Sequence, residues 1–111
     1  MSLNFQTIKG DTFEAVNFQI NINGSAYDLT DCIIKMQLRK ECGSAIALSL
    51  TSVNDAGITI YDAENGNFRI NEQIIDCASG IYNYDIEITF ADGSKKTYIS
   101  GVFNVTCDIT R

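Results

Sequence analysis

Strict alternation across Gly80–Phe90 (GIYNYDIEITF) constrains this chain more than any other stretch. Tyr82, Tyr84, Ile86, Ile88 and Phe90 share one parity, and Asn83, Asp85, Glu87 and Thr89 share the other. An extended backbone turns successive side chains to opposite faces, so the pattern describes a long central strand of an antiparallel sheet with one face buried. Cys32–Lys40 (CIIKMQLRK) repeats it: Cys32, Ile34, Met36 and Leu38 point inward, while Lys35, Gln37 and Arg39 point outward. Ile34 and Leu38 also satisfy the i, i+4 spacing of a helix, but the unbroken period of two favours a strand.

The other runs are shorter and are punctuated by turns. Asn4–Lys9 predicts a first strand, with Phe5 one way and Ile8 the other. Phe13–Ile22 predicts a second, in which Phe18, Ile20 and Ile22 oppose Asn17, Gln19 and Asn21, and Asn23-Gly24 supplies the positive φ of a tight hairpin. Tyr27–Leu29 is a short return. Ala45–Thr51 is expected to send Ile46, Leu48 and Leu50 inward, and Ile58–Tyr61 and Asn67–Ile70 flank a second Asn-Gly turn. Asn71–Ser79 lacks alternation and reads as a crossing between two sheets. Ala91-Asp92-Gly93-Ser94 is a hairpin turn into the last strand, Lys95–Ile109, where Thr97, Ile99, Phe103, Val105, Cys107 and Ile109 share a parity. Gly101 falls on that parity in mid-strand, which marks a bulge or a close backbone approach. Seven to nine short strands at this spacing predict an all-β chain, an antiparallel β-sandwich, with residues 1–111 forming one domain.

Composition removes most chemistry. No histidine occurs among the 111 residues, so the commonest base for a Ser or Cys nucleophile is absent. Asp85 and Glu87 lie on the polar side of the central strand and read as solvated charges rather than an acid–base pair. Glycine-rich phosphate loops are missing, and we expect no catalytic residues and no enzyme activity. Cys32, Cys42, Cys77 and Cys107 form no C-x-x-C pair and have no histidine to join them, which excludes a zinc centre. With no secretory segment at the N-terminus they are expected to be thiols. Asp62–Gly66 looks like a calcium loop only superficially, with glycine in the fifth place and Gln73 in the twelfth. Neither metal nor cofactor is expected. A net charge of −6 opposes binding to phosphate backbones, hence no nucleic acid, and no apolar run approaches the ~20 residues of a membrane span.

An interaction surface is a better candidate than a reactive site. Ile33, Ile81, Tyr98 and Val102 fall on the parity opposite the predicted core, where apolar side chains suit a partner protein. The chain contains no proline, so one device that blocks strand addition at sheet edges is absent.

Gly80-Ile81-Tyr82-Asn83-Tyr84 resembles the G/A-x-Y-x-C run of strand F in immunoglobulin domains. The resemblance implies an immunoglobulin-like sandwich with a tyrosine corner, the Tyr82 hydroxyl bonding back to the loop backbone and Tyr84 replacing the disulfide cysteine. A longer succession spans nearly the whole chain. It runs Lys9-Gly10-Asp11-Thr12-Phe13, Tyr27-Asp28-Leu29-Thr30, Ile34–Arg39, Gly57-Ile58-Thr59-Ile60, Gly66-Asn67-Phe68, Gly80–Ile86, Asp92-Gly93 and Gly101-Val102-Phe103-Asn104-Val105, closing on Asp108–Arg111. This order resembles the small β-sandwich domain of tailed-bacteriophage virion proteins, notably the N-terminal domain of baseplate upper proteins.

That resemblance implies a structural, non-enzymatic component of the virion that docks onto other virion proteins. It further implies a homo-oligomer within the particle, made and assembled in the cytoplasm of a bacterial host. Baseplate upper proteins continue into a fibre-forming region and this sequence stops at Arg111, which favours a stand-alone neck, tail, baseplate or capsid-attached module. The alternative is a small carbohydrate-binding β-sandwich module. Such a module needs exposed aromatic platforms, whereas this chain has no Trp and its Tyr and Phe residues mostly fall on core parity.

Overall fold

A computed structural model describes residues 3–40, 45–75 and 78–106. Among them are twelve strands: β1 (Phe5–Ile8), β2 (Thr12–Phe13), β3 (Val16–Gln19), β4 (Asn21–Ile22), β5 (Ser25–Ala26), β6 (Ile33–Arg39), β7 (Leu48–Thr51), β8 (Ile58–Asp62), β9 (Asn67–Ile70), β10 (Gln73–Ile74), β11 (Gly80–Thr89) and β12 (Lys95–Thr106). Two 3-10 turns, Val53–Asp55 and Ala63–Asn65, join them, and the described chain is otherwise β-strand and connections. A five-stranded sheet has the order β1-β12-β11-β6-β7, and a three-stranded sheet has the order β3-β9-β8. Two ribbons, β2 with β10 and β4 with β5, complete the pairing.

The alternating stretches become the central strands. On β11, Tyr82, Tyr84, Ile86 and Ile88 are buried, and on β6 Ile34, Met36 and Leu38 are almost wholly so. Ile58, Phe68 and Ile70 of the three-stranded sheet join the same apolar cluster, together with Phe13 of β2 and Ile20, Leu29 and Ile75 from the connections. Burying each such side chain contributes about 1.5–3 kcal/mol, which makes this cluster the main support of the fold. Aromatic rings set its two ends. Phe5, Phe13, Tyr84 and Phe103 meet at centroid distances of 5.3–5.7 Å, and Phe18 stacks on Phe68 at 5.0 Å.

Several expectations are corrected by the structure. The five-stranded sheet is not wholly antiparallel, because β1 runs parallel to β12 with Phe5 opposite Phe103 and Ile8 opposite Thr106. Phe13–Ile22 is broken into three pieces, since Phe13 pairs with Gln73 in one ribbon while Val16 to Gln19 pair with β9. Asn71–Ser79 is therefore more than a crossing: β10 supplies a strand within it. Ile22 and Ile46 are exposed by 44% each rather than turned inward, because both lie in or beside hairpin loops beyond the reach of the core. Cys42, Cys77, Cys107 and the expected strand beyond Thr106 fall outside the described residues.

Turn chemistry follows the sequence closely. Asn23 and Gly24 both take positive φ (54° and 80°) between β4 and β5. At Gly66 (φ 71°) an added Cβ would sit 2.6 Å from the Ile20 carbonyl oxygen and 2.7 Å from that of Tyr27. Only glycine lets these backbones close together, with the Ile20 N–H donating to the Gly66 carbonyl at 2.9 Å. Between β11 and β12, the Asp92 carboxylate accepts from the Ser94 hydroxyl at 2.6 Å and from its N–H at 2.8 Å. Those two bonds hold the Asp92 carboxyl below the usual range.

Candidate functional site

Cross-strand register fixes what the outer face of the five-stranded sheet presents. Along β11, Ile81 stands opposite Asn104 and Asn83 opposite Val102, which makes Ile81 and Val102 diagonal neighbours on that face. Ile81 is 64% exposed, and Val102 is half-buried. Ile33 pairs with Thr89 at the far end of the same strand, about 26 Å from Ile81 at ~3.3 Å per residue. Between them the face is polar: Glu87 faces Lys35, and Asp85 faces Gln37. The four predicted interface residues therefore do not form one patch.

Tyr98 departs furthest from the pattern. Ile86 pairs with Ile99 but Glu87 with Thr97, so Tyr98 is an extra residue with no partner on β11. A bulge re-aims the side chain it carries. The Tyr98 ring packs against the core, and its hydroxyl lies 3.5 Å from the Gln19 carbonyl of β3. Ile8, 40% exposed at the end of β1, is an apolar residue near the Ile81 end that parity alone did not single out as an interface.

The two tyrosines of the central strand are structural. The Tyr82 hydroxyl donates to the Ala78 carbonyl, the loop-backbone bond of a tyrosine corner. The Tyr84 hydroxyl reaches the carbonyl of Leu3. Gly101, opposite Tyr84 on β12, makes room for that contact: an added Cβ would lie 2.1 Å from the Leu3 oxygen. The Leu3 N–H donates to the Ser100 carbonyl at 3.1 Å, and the Asn4 side chain accepts from the Val102 N–H at 3.0 Å. Burial pushes the Tyr84 phenol up to about 12. At Cys32, a half-buried free thiol, burial and then the Asp28 and Asp31 carboxylates raise the pKa.

The outer face of the three-stranded sheet carries features that sequence reasoning missed. Asn17, Arg69 and Thr59 form one row across β3, β9 and β8, and Gln19, Asn67 and Asp62 form the next. Register shifts between Ile60 and Asp62, which lifts Tyr61 outward as an unpaired residue. Tyr61 is 48% exposed and is the one aromatic among the large exposed hydrophobics of the described residues. The Arg69 guanidinium carbon lies 5.3 Å from the centre of its ring. Arg69 Nε donates to the Asn71 side chain at 3.2 Å, and Asn71 donates in turn to the Thr59 hydroxyl at 3.0 Å. Asp62 accepts from Asn65 at 3.0 Å, and the Gln19 amide donates to the Asn65 carbonyl at 3.1 Å. A polar residue in the first row and Tyr-Asp at the end of Ile58–Asp62 were the available signals, but the bulge that sorts them is not visible in the letters.

Among the described residues, no group of three or more His, Cys, Asp or Glu side chains could hold a metal ion, and no helix is long and apolar enough to cross a membrane. No curated protein and no solved structure matches the chain. Residues 2–104, from the segment clamped at Gly101 through nearly all of β12, match the family model described as the BppU N-terminal domain. The ordered motifs, the all-β fold and that match agree, and the chain belongs to the family of N-terminal domains of phage baseplate upper proteins, a structural module of the virion.

Proposed function

We propose that this chain is a docking module of the phage baseplate: one immunoglobulin-like β-sandwich that fastens neighbouring virion proteins by its surface and performs no catalysis. The strand orders β1-β12-β11-β6-β7 and β3-β9-β8 support the immunoglobulin-like reading, since variable-type domains extend the GFC sheet by an added strand and set a BED sheet against it. The Tyr82 corner supports it too.

The observation that carries the docking role is Ile81, 64% exposed on the central strand β11 with Val102 diagonal to it. An apolar pair at the end of a polar sheet face offers a protein partner an apolar contact. Ile33 serves a separate contact at the far end of the face. Val102 extends the Ile81 contact, and Tyr98 borders the face with only part of its ring outward. Docking in several copies makes a homo-oligomer within the particle, with assembly in the host cytoplasm. A net charge of −6 fits protein partners better than nucleic acid or an anionic membrane.

Co-expression with the neighbouring baseplate proteins tests the reading. Ile81→Asp, at an exposed position, leaves the melt unchanged and abolishes co-purification and incorporation into particles. Full retention of both by the folded variant overturns the assignment.

A further inference from the structure

We propose that the outer face of the three-stranded sheet binds a neutral saccharide chain, with Tyr61 as the stacking platform and Arg69, Gln19, Asn67 and Asp62 as hydrogen-bonding partners. This site is separate from the docking surface on the five-stranded sheet.

Four observations lead to it. First, Tyr61 is held outward by a bulge and its ring is backed by the Arg69 guanidinium at 5.3 Å, so an exposed aromatic is presented in a fixed attitude. A phenol ring offers an apolar face for the C–H groups of a sugar and a polar tip for its hydroxyls.

Second, Arg69 is oriented before any ligand arrives. Its Nε is bonded to Asn71, and its two terminal nitrogens carry no bond to a described residue. They remain as donors in a fixed fork.

Third, the Gln19 and Asn67 amide nitrogens are each already held by one hydrogen bond. Gln19 donates to the Asn65 carbonyl at 3.1 Å, and Asn67 donates to Asp62 at 3.5 Å. The amide oxygens and the second Asp62 oxygen are left as acceptors beside the Arg69 donors. Sugar hydroxyls, each both donor and acceptor, complement such a mixed array.

Fourth, the composition argues against the other occupants. A protein partner calls for an apolar centre, yet the two rows between β3 and β8 hold Asn17, Gln19, Arg69, Asn67 and Thr59 with a single aromatic. A polyanionic ligand would meet Asp62 beside Arg69 on a chain of charge −6. A neutral glycan meets neither obstacle.

The test is an amide and side-chain NMR titration with maltohexaose, cellohexaose, chitohexaose and a mannan oligosaccharide, alongside heparin-derived and polygalacturonate oligosaccharides as anionic probes. We expect one or more neutral probes to shift Asn17, Gln19, Asn67 and Arg69 while leaving Asn83 and Asn104 in place. Tyr61→Ala and Arg69→Gln, each checked for an unchanged melt, weaken that binding by about tenfold or more. Ile81→Asp leaves it intact. No shifts with any neutral probe, shifts confined to the five-stranded sheet, preference for the anionic probes, or full binding by Tyr61→Ala each overturn the proposal. Self-association abolished by Tyr61→Ala overturns it as well, by assigning the face to a second copy.

Discussion

Gly101→Ala is the most informative single change in this chain. No positive φ is required at Gly101, so alanine fits the backbone there and would ordinarily stabilise the fold by about 0.4–1 kcal/mol through the unfolded state. The contacts reverse that sign. An alanine Cβ would lie 2.1 Å from the Leu3 carbonyl oxygen, 2.9 Å from its carbon and 3.0 Å from the Asn4 side-chain oxygen. An ordinary carbon–oxygen contact is about 3.3 Å, so the first described residues must move off β12 by more than ~1 Å. Three hydrogen bonds go with them: Leu3 to Ser100, Val102 to Asn4, and Tyr84 to Leu3. Each contributes about 0.5–1.5 kcal/mol net, and a buried hydroxyl left without a partner costs more. Allowing for the entropic gain, the expected loss is about 2–3 kcal/mol, or roughly 10–20 °C in Tm for a domain of this size. Urea denaturation followed by circular dichroism measures it. Gly24→Ala is the control, since nothing lies within 4 Å of its added Cβ and only the positive φ of 80° is penalised. Deleting residues 1–4 in both backgrounds isolates the clash, because the Gly101→Ala penalty should then vanish. A variant as stable as the parent, or a penalty that survives the deletion, refutes the account of Gly101 as a clearance for the N-terminal segment.

Two further outcomes follow from the central-strand tyrosines. Tyr82→Phe removes the bond to the Ala78 carbonyl and lowers stability by about 1 kcal/mol, seen as a melt some ~4–8 °C lower with partner and saccharide binding untouched; an unchanged melt refutes the corner. Tyr84, whose phenol burial raises to about 12, disfavours ionisation in the folded state. Its contribution is therefore whole below the ordinary tyrosine range near pH ~10 and is lost as pH climbs through about 12. Phenolate absorbance should show this late ionisation, and Tyr84→Phe should abolish it; a titration curve of identical shape in the variant refutes the assignment.

Strands long enough to show several alternations were readable in the letters. β6 and β11 bury Ile34, Met36, Leu38, Tyr82, Tyr84, Ile86 and Ile88 as parity names them. Cys32 and Phe90, just beyond the strand ends, are only half-buried, and β9 has the bounds the pattern predicts. Gly101 was readable for a different reason, because a glycine on the inward parity of a strand has few explanations other than a bulge or a close approach. The two-residue pairing of β2 with β10 was not readable, since it depends on Thr12 and Ile74 meeting across the chain rather than on any local period. Bulges displaced two side chains from the faces that parity gives them, while Ile33 and Ile81 stayed exposed. One extra residue at Tyr98 turned a predicted interface side chain toward the core, and another at Tyr61 turned an aromatic toward solvent. Parity arithmetic assumes an unbroken count of two, and the count restarts wherever a strand gains a residue.

The direction of β1 has a mechanical meaning. Because it runs alongside β12 with the same polarity, drawing the two ends of the domain apart slides one strand lengthwise past the other. Every rung from Phe5 to Ile8 is then strained at once, instead of opening in turn like a zip, and the clamp at Gly101 adds Leu3 and Asn4 to the load. Toughness under tension thus depends on how the first and last strands are aligned more than on how much apolar surface the interior conceals.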